Sequence, residues 1–162
     1  MKIYFVLGNV GVGKSTFCRQ QTDYTHIALG DLLRKEAEDN IVIQNCMEIG
    51  KLIPSELTIN ILKEALDNCN SDCLIDGYPR NFENVRLWNE KIALEPDGII
   101  YIDCPENVCL QRLLNRRRGD DTEVCITNRF MSFRTETLPV IKYYQSRNVV
   151  IYNARNFPKS CI

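Results

Sequence analysis

Short apolar runs alternate along this chain with longer segments of mixed polarity. Five runs are apolar or β-branched: Lys2–Leu7, His26–Leu29, Cys73–Asp76, Gly98–Asp103 and Val149–Asn153. Each is bounded by turn-forming or polar residues, and none alternates strictly. Such runs predict strands buried on both faces. Helical spacing of apolar positions covers Lys14–Gln21, Asp31–Asn40, Ser55–Asn68, Phe82–Lys91 and Pro105–Arg116. A last long pattern runs from about Thr122 to Ser146, where Pro139 predicts a kink or interruption. Strands alternating with helices imply βαβ crossovers and a parallel sheet. Two stretches lack a strand partner, roughly 30–60 and the short turn at 116–121. They read as mobile excursions from one core, so 1–162 is a single α/β domain with a core of 1–29, 61–115 and 122–162.

The 162 residues suit one domain with one sizeable core. Apolar residues at 44% and charged residues at 25% exclude a disordered chain. The balance of 20 Lys+Arg against 21 Asp+Glu argues against a generally basic nucleic-acid binder. No segment approaches the ~18 consecutive apolar residues of a membrane span, and the N-terminal run is too short for a signal peptide. The eight cysteines include no Cys-x-x-Cys pair, and His26 is the only histidine. That disfavours a zinc site of usual spacing and a secreted disulfide framework. Reduced thiols in a cytoplasmic setting, several serving as small hydrophobes, are the simplest expectation.

The first chemical motif is Gly8-Asn9-Val10-Gly11-Val12-Gly13-Lys14-Ser15. It fits G-x-x-x-x-G-K-[ST], and it stands between a predicted strand and a predicted helix, as a phosphate loop must. Glycines let the backbone wrap a phosphate with its N–H groups, and the helix N-terminus adds its dipole. Lys14 supplies charge to the β- and γ-phosphates. Ser15, or Thr16 beside it, can hold Mg²⁺ directly or through water. The motif alone says only that a nucleoside triphosphate binds.

A transferred phosphoryl group needs either an oriented water or a second, anionic acceptor. Arg34 follows Leu29-Gly30-Asp31 on the first turn of a predicted helix. Arg80 follows Asp76-Gly77-Tyr78-Pro79, just past the carboxyl end of a predicted strand, the edge where open α/β sheets bind ligands. Either arginine alone reads equally well as a solvated surface charge. From 112 to 118 the chain reads Arg-Leu-Leu-Asn-Arg-Arg-Arg, four cations without an acid. A basic helix end that suits the macrodipole is the bland alternative there.

Taken in order, these pieces resemble the nucleoside monophosphate (NMP) kinases of the adenylate kinase family, closest to the UMP/CMP kinase branch. The resemblance spans Lys2 to about Ala154. It is carried by 8–14, Gly-Asp-Leu-Leu-Arg at 30–34, Gly-Lys-Leu-Ile-Pro at 50–54, Asp-Gly-Tyr-Pro-Arg-Asn at 76–81, Asp-Asp at 120–121 and Arg-Phe at 129–130. It implies a P-loop NTPase three-layer fold: a five-stranded parallel sheet with helices on both faces, an NMP-binding flap at about 30–60, and a short lid at about 116–121. The implied ATP-binding set is Gly8, Gly11, Val12, Gly13, Lys14, Ser15, Thr16, Arg112 and Arg116. The implied NMP-binding set is Arg34, Lys51, Ile53, Thr58, Gly77, Arg80, Asn84, Arg118 and Arg129. Lys14, Arg80, Arg116, Arg118 and Arg129 would act catalytically, with Ser15 and Asp76 at the Mg²⁺. Residues 154–158 are expected to border the adenine, and a monomer is the family's usual state.

Arg80-Asn81-Phe82-Glu83-Asn84 bears on the acceptor. The resemblance implies a pyrimidine, because UMP/CMP kinases carry Asn where adenylate kinases carry Gln at position 84, and an amide offers a donor and an acceptor to a pyrimidine edge. Asn81 and Asn84 acting merely as caps of the following helix is the competing reading. The expected partners are ATP and an NMP (CMP, dCMP or UMP), with AMP as the alternative acceptor. A nucleotide-binding module without catalysis remains a second class. A GTPase-like switch is a third, weakened by the absence of an Asn-Lys-x-Asp segment.

Overall fold

The computed structural model describes residues 1–116, 118–147 and 149–153. Its five strands are β1 (Ile3–Leu7), β2 (Thr25–Ala28), β3 (Cys73–Asp76), β4 (Gly98–Tyr101) and β5 (Ile151–Asn153), all parallel in the order β2-β3-β1-β4-β5. Period-two geometry sends neighbouring side chains of β1 to opposite faces. Ile3, Phe5 and Leu7 enter the larger core, where the Phe5 ring meets Tyr78, Trp88 and Tyr144. Tyr4 and Val6 enter a smaller one with Cys18, Leu74 and Ile100. Both faces are covered, which is why β1 and β3 carry unbroken apolar runs.

The helices are α1 (Lys14–Arg19), α2 (Leu29–Glu36), α3 (Ile41–Ile49), α4 (Ser55–Asp67), α5 (Phe82–Lys91), α6 (Glu106–Arg116), α7 (Glu123–Ser132) and α8 (Leu138–Ser146). Helix α1 backs the smaller core, and α2, α4, α5 and α8 the larger, giving three layers. None is long and apolar enough to cross a membrane among the described residues. The sheet's order reverses beside β1, so the carboxyl ends of β1 and β3 open onto the topological switch point.

Three local expectations need correction. Helix α2 starts at Leu29 rather than Asp31, which puts Arg34 on its second turn, and it stops at Glu36. Asn40 does not close that helix but opens another, α3: its Oδ1 accepts from the N–H groups of Val42 and Ile43 at 3.1 and 3.3 Å. The expected helix from 122 to 146 is α7 and α8 joined by a π-helical turn, Phe133–Thr137. In a regular helix the Pro139 ring would meet the Thr135 carbonyl and leave it without a donor. The wider turn, closed by the Leu138 N–H onto the Phe133 carbonyl, takes up that conflict.

Candidate active site

The phosphate loop joins β1 to α1. Gly11 has φ of 79°, and a Cβ there would stand 2.7 Å from the Cys109 carbonyl oxygen. Only glycine lets the loop turn so close to α6. Lys14 lies folded back along the loop, its Nζ donating to the carbonyls of Gly8 and Asn9 at 2.9 and 2.8 Å. Burial pushes its pKa down to about 8; Asp76 opposes the shift and Arg80 adds to it. Ser15 Oγ donates to Asp76 Oδ2 at 2.6 Å, and His26 Nε2 stands 3.1 Å from the same oxygen. Burial alone would raise the Asp76 pKa, but His26, Lys14 and Ser15 together hold it below the usual carboxylate range.

Arg80 sits in the turn after β3, held at three points. Its Nε donates to the Gly77 carbonyl at 2.8 Å, its N–H to Asn84 Oδ1 at 3.0 Å, and its carbonyl accepts from Thr137 Oγ1 at 2.8 Å. Burial lowers the Arg80 pKa, and the charges of Arg129 and Arg34 lower it further. The cations therefore lie within electrostatic reach of one another around one space. Asn81 caps α5 by accepting from the Asn84 N–H at 2.8 Å. Asn84 is no cap: it is buried, and its Nδ2 donates to Ser55 Oγ of α4 at 2.8 Å.

The segment from α6 to α7 carries the arginines expected around a lid. Arg116 grips Asp121 with Nε and NH2 at 2.8 and 2.7 Å. Arg129 pairs with Asp120 at 2.5 Å and lies 3.6 Å from Asp121. Arg112 reaches back from α6 to the Val12 carbonyl at 3.0 Å. Burial lowers the Arg118 pKa, with Arg116 and Arg34 adding to that. On the facing side, Arg34 pairs with Asp31 one turn back. Gly50 ends α3 with φ of 70°, its Cα set against the backbone of Cys125, and Asn128 Nδ2 donates to the Ile49 carbonyl at 2.7 Å. The segment 30–60 thus rests directly on α7.

One cavity of about 430 Å³ is lined by every predicted site residue except Val12. Val12 turns its side chain into an apolar cluster with Cys109, Leu113, Ile126 and Phe130, and only its carbonyl serves the site, by holding Arg112. Residues 154–158, expected beside the adenine, lie outside the described residues. Thr137 and Arg19, not singled out from the sequence, also line the cavity. Its place two residues before Pro139, where a kink is expected, is the trace of Thr137 in the sequence. Arg19, at the end of the helix opened by the phosphate loop, had a better one.

A phosphate loop at the switch point of a parallel sheet, faced by an arginine-lined second pole, defines a P-loop nucleotide-binding α/β domain. The family model described as adenylate kinase matches residues 6–149. The chain is 42% identical over 158 residues to UMP-CMP kinase 3 of Arabidopsis thaliana, covering 91% of this chain and 78% of that protein. It is 41% identical over 155 residues to UMP-CMP kinase 1 of Oryza sativa subsp. japonica, covering 90% and 64%. It is 32% identical over 166 residues to UMP-CMP kinase 2 of Caenorhabditis elegans, covering 91% and 85%. The chain belongs to the adenylate kinase family.

Proposed function

We propose that the chain is an ATP-dependent nucleoside monophosphate kinase that transfers the γ-phosphoryl of ATP to CMP, dCMP or UMP, giving ADP and the nucleoside diphosphate. The observation that carries this reading is one cavity lined at one pole by the phosphate loop and at the other by Arg34 and Arg80. A hydrolase or switch needs one phosphate site and a held water; a transfer enzyme needs two phosphate sites facing each other. The names of the relatives support a pyrimidine acceptor.

In this reading an oxygen of the acceptor's phosphate attacks the γ-phosphorus in line, the bond to the β,γ-bridging oxygen breaks, and ADP leaves. The protein's task is positioning and positive charge. Lys14 would exchange the carbonyls of Gly8 and Asn9 for phosphate oxygens. Arg34 and Arg80 would hold the acceptor's phosphate, with Lys51, Ile53, Thr58 and Asn84 around its nucleoside. Arg112 and Arg116 would meet ATP, and Arg118 and Arg129 the moving phosphoryl group. Residues 30–60 act as the acceptor flap and 116–121 as the lid. Asp120 and Asp121 would hold the Arg129 and Arg116 side chains in position for the transfer.

The residues at Ser15 and Asp76 fit Mg²⁺. They offer hard oxygen donors 2.6 Å apart, and Asp76 is kept ionised by its neighbours. When bound, Mg²⁺ would be held from Ser15 and Asp76 and would supply positive charge that offsets the charge of the phosphates. The chain's several buried thiols support a reducing, cytoplasmic setting.

A coupled ADP-release assay over a panel of NMPs tests this function. Turnover that depends on CMP, dCMP or UMP, with a higher kcat/KM than AMP, is the expected result. A clear AMP preference would reassign the acceptor. Acceptor-independent turnover would make the chain an NTPase, and binding without turnover a nucleotide-binding module.

A further inference from the structure

Three side chains of different ligand chemistry, scattered in the sequence, meet behind the phosphate loop. They are Cys18 on α1, His26 on β2 and Asp76 at the end of β3, and their ligand atoms all lie within 4.8 Å of one another. His26 Nε2 and Asp76 Oδ2 are 3.1 Å apart. In a tetrahedral site with metal–sulfur bonds of ~2.3 Å and metal–nitrogen or –oxygen bonds of ~2.0–2.2 Å, ligand atoms stand about 3.2–3.7 Å apart. The imidazole and carboxylate are already within about 0.1 Å of that spacing, and the sulfur has to move by about an ångström at most.

We propose that Cys18, His26 and Asp76 form a binding site for a thiophilic divalent cation, of the zinc or cadmium class. A thiolate and an imidazole select such ions and are poor ligands for Mg²⁺. Ser15 Oγ, 2.6 Å from Asp76 Oδ2, is the oxygen best placed to approach the remaining position. The Cys18 sulfur gives up its S–H proton to solvent as the metal–sulfur bond forms. His26 binds through the Nε2 lone pair, with its proton on Nδ1, so one net proton leaves per ion. Cys18 is 1% exposed, and the metal-free thiol is shielded from alkylation. A metal ion entering beside Asp76 replaces the thiol proton rather than attacking from bulk solvent.

The ion would share Asp76 with the Mg²⁺ position and so block turnover. That second step alone rests on the kinase reading; occupancy of the site does not.

The test titrates the metal-free full chain with Cd²⁺, reading the thiolate-to-cadmium charge-transfer absorption and the calorimetric stoichiometry. One tight ion per chain is expected. Affinity should fall at least about ten-fold in Cys18→Ala and in His26→Gln, and stay unchanged in Cys46→Ala, a half-buried thiol elsewhere. No tight ion in the wild type, or a tight ion retained in His26→Gln, overturns the site. His26 is partly exposed, so its variant keeps the test decisive if Cys18→Ala folds poorly. Zn²⁺ should then inhibit acceptor-dependent turnover in excess Mg²⁺, and His26→Gln should resist it. Cd²⁺ binding that depends on Cys18 and His26 without such inhibition supports the site and overturns the inhibitory step.

Discussion

Arg118 and Arg129 belong to the same proposed step but differ in their bonds. Among the described residues, no carboxylate lies within ion-pair distance of Arg118, while Arg129 holds Asp120 and stands near the almost wholly buried Asp121. Arg118→Met should therefore lower kcat by about 10²–10³-fold, the usual loss for one preorganised donor, with ATP affinity and thermal stability nearly unchanged. Arg129→Met should lower kcat and also lower Tm, because it strands the largely buried Asp120 carboxylate. Steady-state kinetics beside thermal melts separate the two; an unaltered kcat in Arg118→Met would remove that residue from the reaction. Asp120 carries a pH prediction. Burial pushes its pKa up, but the hydrogen bond and charge of Arg129 outweigh that and leave it depressed. A depressed carboxylate stabilises the fold above its unfolded pKa, and the contribution disappears as pH falls through the folded value. Asp120→Asn should thus be less stable than the wild type at neutral pH, with the gap closing under acid. A gap independent of pH would mean the loss is packing rather than charge.

At the scale of elements, the proposed flap, residues 30–60, is anchored at the turn that ends α3. Gly50 is left-handed, and a Cβ there would stand 2.4 Å from the Cys125 carbonyl oxygen. Gly50→Ala should cost roughly 1–2 kcal/mol for the backbone alone, plus whatever lifts α3 from α7. The acceptor's KM should rise more than that of ATP, measured with each substrate varied in turn. An equal rise in both would show that α3 does not set the acceptor side. This element also marks where the sequence stopped being legible. The parallel sheet, the phosphate loop and the arginines were readable because each is a local pattern with a fixed role. Helix α3 was missed because Ile43 is its only fully buried residue, so the apolar face is too narrow to register as a period. Asn40 read as the tail of the preceding helix when its side chain heads the next. Asn84 read as a base reader or a cap; its bond to Ser55 of α4, 29 positions back, left no local pattern. The meeting of Cys18, His26 and Asp76 was invisible for the same reason, since spacing rules for metal sites see only neighbours in sequence.

Over the whole molecule, a net charge of −1 conceals a cavity lined by Lys14, Lys51 and seven arginines, Arg19, Arg34, Arg80, Arg112, Arg116, Arg118 and Arg129. The fold must hold these like charges together without substrate, and it does so from beneath. A satellite core of Val12, Cys109, Leu113, Ile126 and Phe130 ties the phosphate loop to α6 and α7. Helix α7 in turn supports the end of α3 through Cys125 and Asn128. The donor and acceptor sides therefore share one support, but only the donor loop sits directly on this small core. Leu113 is fully buried there, and a Cβ on Gly11 would meet its side chain at 2.8 Å. Leu113→Ala should destabilise the protein by about 2–5 kcal/mol, the range for a buried leucine that leaves a cavity. The void opens directly under the loop, so the Kd for ATP should rise several-fold while the acceptor's KM changes less. Calorimetric ATP binding and denaturant unfolding on the same preparations decide it. A full loss of stability with unaltered ATP affinity would show that the loop keeps its shape from its own glycines and Lys14 bonds, and that the satellite core serves folding alone.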